Sequence, residues 1–410
     1  VMRRYVTSWS PNAVTGILLL VLSCTGFAVL CAVHGLPMAD ALVYRAEGAA
    51  VVDGRDLYGF TVTEWELPAT YPPFAALLFV PTTWLPLAAL KGAFLVGNVA
   101  LLVLLLHLSC RLAGLPSRAA PLCAAAACAL WLEPVFQTVL FGQINLALAC
   151  LVLWDLTRLD GAVGKGFAVG VAAGIKLTPA FFVAYLLVTG RVREAGTAVV
   201  AFAGTVLLGV LALPAASADF WTRRVFETGR VGKAWIVDNQ SLQGLAARVL
   251  HVPEPRLAWA VPAVVVAAAG LWGARRAGAG AWGLLVAAGT ALLVSPISWS
   301  HHWVWCVPLI VVLVGEGRLR LAGLVAVVFT ARTLWLVPHE GSADLHLAWW
   351  QQVLAAPYAV LLAALPSLLR SPRARGLGHL GPLWGWVSRA GGVGLRRVGW
   401  VSRAGGTGRR

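Results

Sequence analysis

"GVAAGIKLTPAFFVAYLLVTGR", residues 170–191, decides how the rest of the chain is read. Its length and apolarity suit a bilayer crossing, since about 20 apolar helical residues span a ~30 Å hydrocarbon core. Yet Lys176 lies inside it, and a centred lysine costs roughly 2.5–3.5 kcal/mol on insertion scales, so something must offset that cost. Lys165 before the stretch and Arg191 at its end both belong to basic loop clusters, which the positive-inside rule assigns to the cytoplasm. A single tilted helix would put them on opposite sides. Two half-helices meeting near "KLTP", with Pro179 as the break, keep them together. Ten helical residues rise only ~15 Å, so Lys176 then sits near mid-membrane at a hairpin tip.

The remainder of the chain supports a membrane reading. Of 410 residues, 59% are hydrophobic and 12% charged, with mean hydropathy +0.79, which excludes a soluble domain of this size. Apolar runs recur from Ala13 almost to Arg370, and helices cross bilayers because they satisfy their own backbone polar groups. The expected fold is all-α and polytopic, with one membrane domain over 1–370. The net charge of +15 sits mainly in short loops and the tail, with no basic stripe alternating with aromatics, so nucleic acid is not an expected partner. Cys24, Cys31, Cys110, Cys123, Cys128, Cys150 and Cys306 lie in or beside apolar runs without Cys-x-x-Cys spacing and read as packing residues. Arg3-Arg4 and the apolar run to about His34 read as an uncleaved first span with a cytoplasmic N-terminus.

Basic clusters then give a topology. Arg3/Arg4, Arg111/Arg118, Arg158/Lys165, Arg191/Arg193, Arg275/Arg276, Arg318/Arg320 and the tail all fall in the cytoplasm if crossings pair as 119–137 with 144–157, 196–214 with 257–274, 280–297 with 302–316, and 320–337 with 348–369. The run 92–110 is a further crossing. The run 71–89, with its "YPPF" start and internal Pro81 and Pro86, reads as a broken, non-spanning element. Residues 371–410, where "GWVSRAGG" occurs twice, read as a disordered basic tail able to touch anionic membrane lipid.

This topology collects the unusual polar sequence on the extracytoplasmic face: the 37–70 loop, "FGQIN" at 141–145, "DNQSLQG" in the 215–256 loop, "SPISWSHHW" at 295–303 and "PHEGSAD" at 338–344. Convergence of distant polar segments marks a site. Asp40 in "DALVY" suits either a general base or a helix N-cap. Asp56 in "GRDLYGF" suits turn chemistry as well as substrate contact. The tryptophans of "SWSHHW" fit an interfacial belt, while His301 or His302 could orient a carboxylate or phosphate. Lys176 could pair with an intramembrane acid, Glu133 being the clearest, line a wet cavity, or hold an anionic lipid phosphate. The amides of Gln143, Asn145, Asn239 and Gln240 suit sugar hydroxyls or backbone groups. Tyr44, Tyr58 and Ser298 complete the substrate-contact candidates. No Walker loop, Rossmann glycine fingerprint or His-Glu-x-x-His occurs, and no cofactor or metal is expected.

Together "DALVYRAEGAAVVDGRDLYGF", "YPPFAALLFVP", "FGQINLALACLVLWDL", the 170–191 stretch, "DNQSLQGLAARVL" and "SPISWSHHWVW" resemble glycosyltransferase family 87 over about residues 15–335. That group comprises actinobacterial polyprenyl-phosphate-mannose-dependent alpha-mannosyltransferases. The resemblance implies a GT-C membrane fold, a polyprenyl-phosphate sugar donor, a glycolipid or glycan acceptor, and inverting transfer on the extracytoplasmic side of the cell membrane. It puts the catalytic base on Asp40 with His301 as its partner, and makes Arg45 and Lys176, with His302, candidates for the donor phosphate. The alternative is a lipid-linked sugar flippase without transferase activity. No inverted repeat is visible between the halves to support it.

Overall fold

The computed structural model describes residues 12–370, so the 371–410 tail lies outside the described residues. The fold is an all-α bundle with one two-stranded ribbon, Thr61–Val62 against Leu67–Pro68. Among the described residues five helices have the length and hydropathy to cross a bilayer: Ala13–Val33, Leu87–Leu112, Val192–Ala212, Arg256–Ala277, and Leu319–Leu336 counted through its terminal 3-10 turn. Their outward residues, such as Leu22, Val96, Val200 and Val264, are exposed, as expected of helices that bury one stripe on neighbours and turn the rest to lipid.

We number the helices in chain order. Helix α1 (Ala13–His34) is capped by the Asn12 side chain, which accepts from Thr15 N at 2.8 Å. Helix α2 (Ala39–Asp53) and the short α3 (Pro73–Phe79) lie at one end of the bundle and lead through a 3-10 turn into α4 (Leu87–Leu112). The 71–89 run is thus broken and too short to span. The run 119–137 is not one straight crossing: α5 (Ala119–Ala129) and α6 (Glu133–Phe141) meet at 84°. Leu132 is extended at the corner and Pro134 starts the new helix, where its missing N–H costs nothing.

Helix α7 (Asn145–Leu156) runs back to the basic end. Next come α8 (Phe167–Ile175), a break in which Lys176 is extended (φ −145°, ψ 130°), a 3-10 turn at Thr178–Ala180, α9 (Phe181–Val188) and α10 (Val192–Ala212). Helices α8 and α10 run parallel: Gly166 abuts Glu194, Gly170 abuts Ala198, and Gly174 abuts Thr205. A Cβ on any of these glycines would enter the neighbouring helix. Since α8 and α10 start at the same level, α9 must return, and the charges of Lys165 and Arg191 both bear on Asp160. The 170–191 stretch is a helical hairpin with Lys176 at its tip.

Beyond it, α11 (Pro214–Thr222) and α12 (Leu242–Leu250) belong to a long loop. Helices α13 (Arg256–Ala277) and α14 (Ala281–Val294) then form an antiparallel pair joined at Gly278. After α14 a 3-10 turn at Ser300–Trp305 enters α15 (Cys306–Gly315), followed by α16 (Leu319–Thr330), α17 (Gln351–Ala355) and α18 (Pro357–Arg370).

Candidate active site

The site forms where α2, the α6–α7 turn, the hairpin tip and the 298–305 turn meet, opposite the basic end of the bundle. Helix α2 is aimed by its entry. Met38, in the left-handed region (φ 44°), donates its N–H to Leu140 O at 3.2 Å, and Gly142 (φ 68°) leaves room for the side chains of Ala41 and Met38. Met38, not Asp40, holds the N-cap position, and no side chain caps the helix. Asp40 therefore lies inside the first turn, half-buried, with the Gln143 amide and Lys176 near its carboxylate. Burial pushes its pKa up to about 7, while the charge of Lys176 and the Gln143 amide pull it back.

Gln143 ties the floor together. Its Oε1 accepts from Tyr44 at 2.8 Å and Tyr71 at 3.3 Å, and the two phenols are 3.1 Å apart. Lys176 Nζ donates to Asn145 Oδ1 at 3.2 Å, lies 2.9 Å from His302 Nε2, and sits 5.4 Å from the Tyr71 ring centroid. With the lysine charged, that imidazole nitrogen must accept, so the ring proton is on Nδ1. Among the described residues Lys176 has only neutral hydrogen-bond partners, and Asp40 is the countercharge that bears on it. Below it a cavity of about 50 Å³ runs from the polar Asn145, Lys176 and His302 to an apolar wall including Leu148, Phe182 and Trp305.

His301 is buried, with Thr138 Oγ1 and Asn145 Nδ2 both bonding its backbone oxygen at 3.0 Å. Its ring packs on Phe141 and His302, and both ring nitrogens lack a partner. It does not hydrogen-bond Asp40. Glu133, considered for pairing with Lys176, instead accepts from Tyr358 at 2.5 Å and Trp335 at 3.3 Å.

Other candidates fall outside the cluster. Arg45 Nη1 bonds the backbone oxygens of Thr82 (3.0 Å) and Leu85 (2.5 Å), closing the 3-10 turn after α3 instead of reaching the Lys176 side. Asp56 accepts from Tyr58 N at 3.0 Å, a turn contact, and Tyr58 donates to Tyr71 O at 2.9 Å. Asn239, Gln240 and Ser298 are sealed from solvent. Asn239 accepts from Ser298 N at 2.9 Å and donates to Ala234 O, while Gln240 donates to Val237 O and Ala355 O. They staple two loops together.

One carboxylate was missed. Asp238, half-buried, accepts from Ser300 N at 3.1 Å, and the charges of Glu133 and Asp40 bear on it. Burial first, then Glu133, pushes its pKa up to about 7. Its signal in the sequence is an acid at the head of the polar "DNQS". Among the described residues no three His, Cys, Asp or Glu side chains converge as a metal site would require.

Residues 69–296, more than half the chain, match the model of glycosyltransferase family 87. The chain belongs to glycosyltransferase family 87. It is 34% identical over 350 residues to a polyprenol-phosphate-mannose-dependent alpha-(1-2)-phosphatidylinositol mannoside mannosyltransferase of Mycobacterium tuberculosis, covering 78% of this chain and 81% of that relative. The Mycolicibacterium smegmatis protein of the same description is also 34% identical, with 78% and 80% covered. A Mycobacterium tuberculosis relative described as the corresponding pentamannoside mannosyltransferase is 33% identical, with 78% and 76% covered. No solved structure matches the chain. As a family 87 glycosyltransferase the chain is an enzyme, and the cluster around Asp40 and Lys176 is where its polar chemistry concentrates.

Proposed function

We propose that this glycosyltransferase moves mannose from polyprenol-phosphate mannose to a glycolipid acceptor of the phosphatidylinositol mannoside type. The observation that carries the reading is the opposition of a solvent-reaching carboxylate, Asp40, and a lysine without an ion-pair partner, Lys176, at the tip of a helical hairpin. Asp40 takes the proton of an acceptor hydroxyl as its oxygen bonds the anomeric carbon. The bond from that carbon to the phosphate oxygen breaks, and the electron pair leaves with polyprenyl phosphate beside Lys176. One displacement inverts the anomeric centre. His302 and Asn145 hold the ammonium in place, and the apolar wall beneath it suits the start of a polyprenyl chain. Membership of a glycosyltransferase family disfavours the flippase alternative.

The side of the membrane follows from charge. Lys165, Arg191 and Arg318 sit at the end of the bundle away from Lys176, and the positive-inside rule assigns that end to the cytoplasm. The site is then extracytoplasmic. Two measurements test this reading. Purified protein in detergent should transfer mannose from polyprenyl-phosphate mannose to a phosphatidylinositol mannoside with inversion; retention or no transfer rejects it. In a cysteine-free background, cysteines at 163 and 229, both exposed, should react with an impermeant reagent from opposite sides, with only 229 accessible from outside.

A further inference from the structure

The segment carrying Asp238 is held more tightly than a surface loop needs. Arg248, fully buried, donates from Nη1 to the carbonyls of Ile236 and Asn239, each at 3.0 Å. Asp344 takes the N–H of Val237 at 2.9 Å. Asn239 takes the N–H of Ser298 at 2.9 Å and bonds back to Ala234 O. Such a clamp immobilises the backbone on either side of Asp238 and leaves its side chain projecting toward the 300–302 turn.

One carboxylate oxygen accepts from Ser300 N at 3.1 Å. The Ser300 hydroxyl also bears on the carboxylate, and Asp238 stays half-buried where its neighbours Val237 and Asn239 are sealed. A rigidly held, half-buried carboxylate has more lone pairs than Ser300 can fill and can accept from a ligand hydroxyl. Charge decides which ligand. Asp238 is within reach of the charge of Asp40, the proposed base, while Lys176 lies across the turn on His302. An anion beside the departing phosphate would oppose its charge; beside the attacking, neutral sugar it can only help. In a single displacement the acceptor approaches from the face opposite the leaving group.

We propose that Asp238 anchors the acceptor sugar by taking a hydroxyl other than the one that attacks, and so helps to set which acceptors are used. This rests on the transferase reading above. The test uses polyprenyl-phosphate mannose with synthetic mannoside acceptors that each lack one hydroxyl. Asp238→Asn keeps an oxygen for Ser300 N–H but loses the charge-assisted bond, so acceptor KM should rise about 10- to 100-fold while donor KM stays within about twofold. One deoxy acceptor should cost the wild type a similar factor and cost Asp238→Asn almost nothing further. The wild-type series suffices even if the variant misfolds: if removing no non-attacking hydroxyl raises acceptor KM tenfold, the anchor is wrong. An unchanged acceptor KM in a folded Asp238→Asn overturns it too. So does a loss of kcat equal for every acceptor, which would make Asp238 a base or a prop for the turn. A wild-type protein that transfers to no acceptor would instead sink the transferase reading, and the anchor with it.

Discussion

Lys165 and Lys176 stand eleven residues apart on one hairpin arm and meet opposite fates. Lys165, at the base, is sealed at 3% exposure and bonded to Arg158 O at 2.8 Å and Asp160 at 2.9 Å. Around it Asp155, fully buried, takes the N–H groups of Gly166 and Val169 and lies 3.5 Å from Arg158. Every charge there has an opposite charge or a backbone dipole, and nothing is left for a ligand. Lys176, at the tip, has neutral partners, a carboxylate opposite and buried imidazole nitrogens nearby that bond to nothing. Closed networks hold folds together. Open ones in a recess are where a substrate can complete the bonding.

The comparison breaks first at Asp40. Asp40→Asn should lower turnover ~10²–10⁴-fold, the usual size of general-base help, with donor KM little changed. Because a base must be ionised and burial sets its pKa at about 7, kcat/KM in the wild type should fall about tenfold per pH unit below 7 and level off above. Stability has the opposite sign. A carboxyl raised in the fold contributes stability below its ordinary range near 3.8, and this is lost as pH rises through about 7. Asp40→Asn should therefore melt no lower than wild type at pH 8. A variant that is inactive because it has unfolded would remove the base assignment.

The two lysines themselves come next. Lys176→Met should raise donor KM roughly 10- to 100-fold, the size of a lost charge-assisted bond to phosphate. It should also move the acid limb of the pH profile upward, because the lysine's charge is what draws Asp40 down. Lys165→Met should do neither. It leaves Arg158 O without its donor, so its cost is in the fold, about 1–3 kcal/mol, read as a lower melting temperature in detergent. If Lys165→Met shifts the pH limb as far as Lys176→Met does, the two ends of the hairpin are not distinct.

How much of this was legible in the sequence depends on the range of the forces involved. The hairpin was, because flanking basic residues and an internal Lys-x-x-Pro are local signals. Asp40, Gln143, Asn145, Lys176 and His302 were among a wider group of candidates, because topology sent all of their segments to one end; which of them meet was not readable. The 84° corner before Glu133 was not: Pro134 at a helix start and a proline inside a helix look alike in sequence, and α13 carries Pro262 without a break. Asp238 stayed hidden because its meaning comes from Arg248 and Asp344, ten and 106 residues onward, which turn a polar loop into a fixed mount. Arg45 misled for the converse reason. A basic residue one turn past Asp40 looks like a phosphate ligand until Thr82 and Leu85 are found beside it.

Arg45 supplies the smallest effect and the finest test. Its guanidinium closes the 3-10 turn that joins α3 to α4, a turn whose last residues have no helical N–H groups following them to bond. Arg45→Ala should leave donor KM and kcat within about twofold, because no atom of the Lys176 cluster depends on it. One part-buried and one exposed bond from a cation to carbonyls would be lost, so stability should fall by about 1 kcal/mol. Arg45→Lys should recover part of that, since both bonds leave the single nitrogen Nη1 and an ammonium can also donate to two carbonyls. Melting curves and donor titrations on the two variants separate the possibilities. A rise in donor KM above tenfold in Arg45→Ala, with the melting temperature unchanged, would bring Arg45 back to the phosphate. The opposition between the sealed Lys165 and the open Lys176 would then have to include a second open cation on α2.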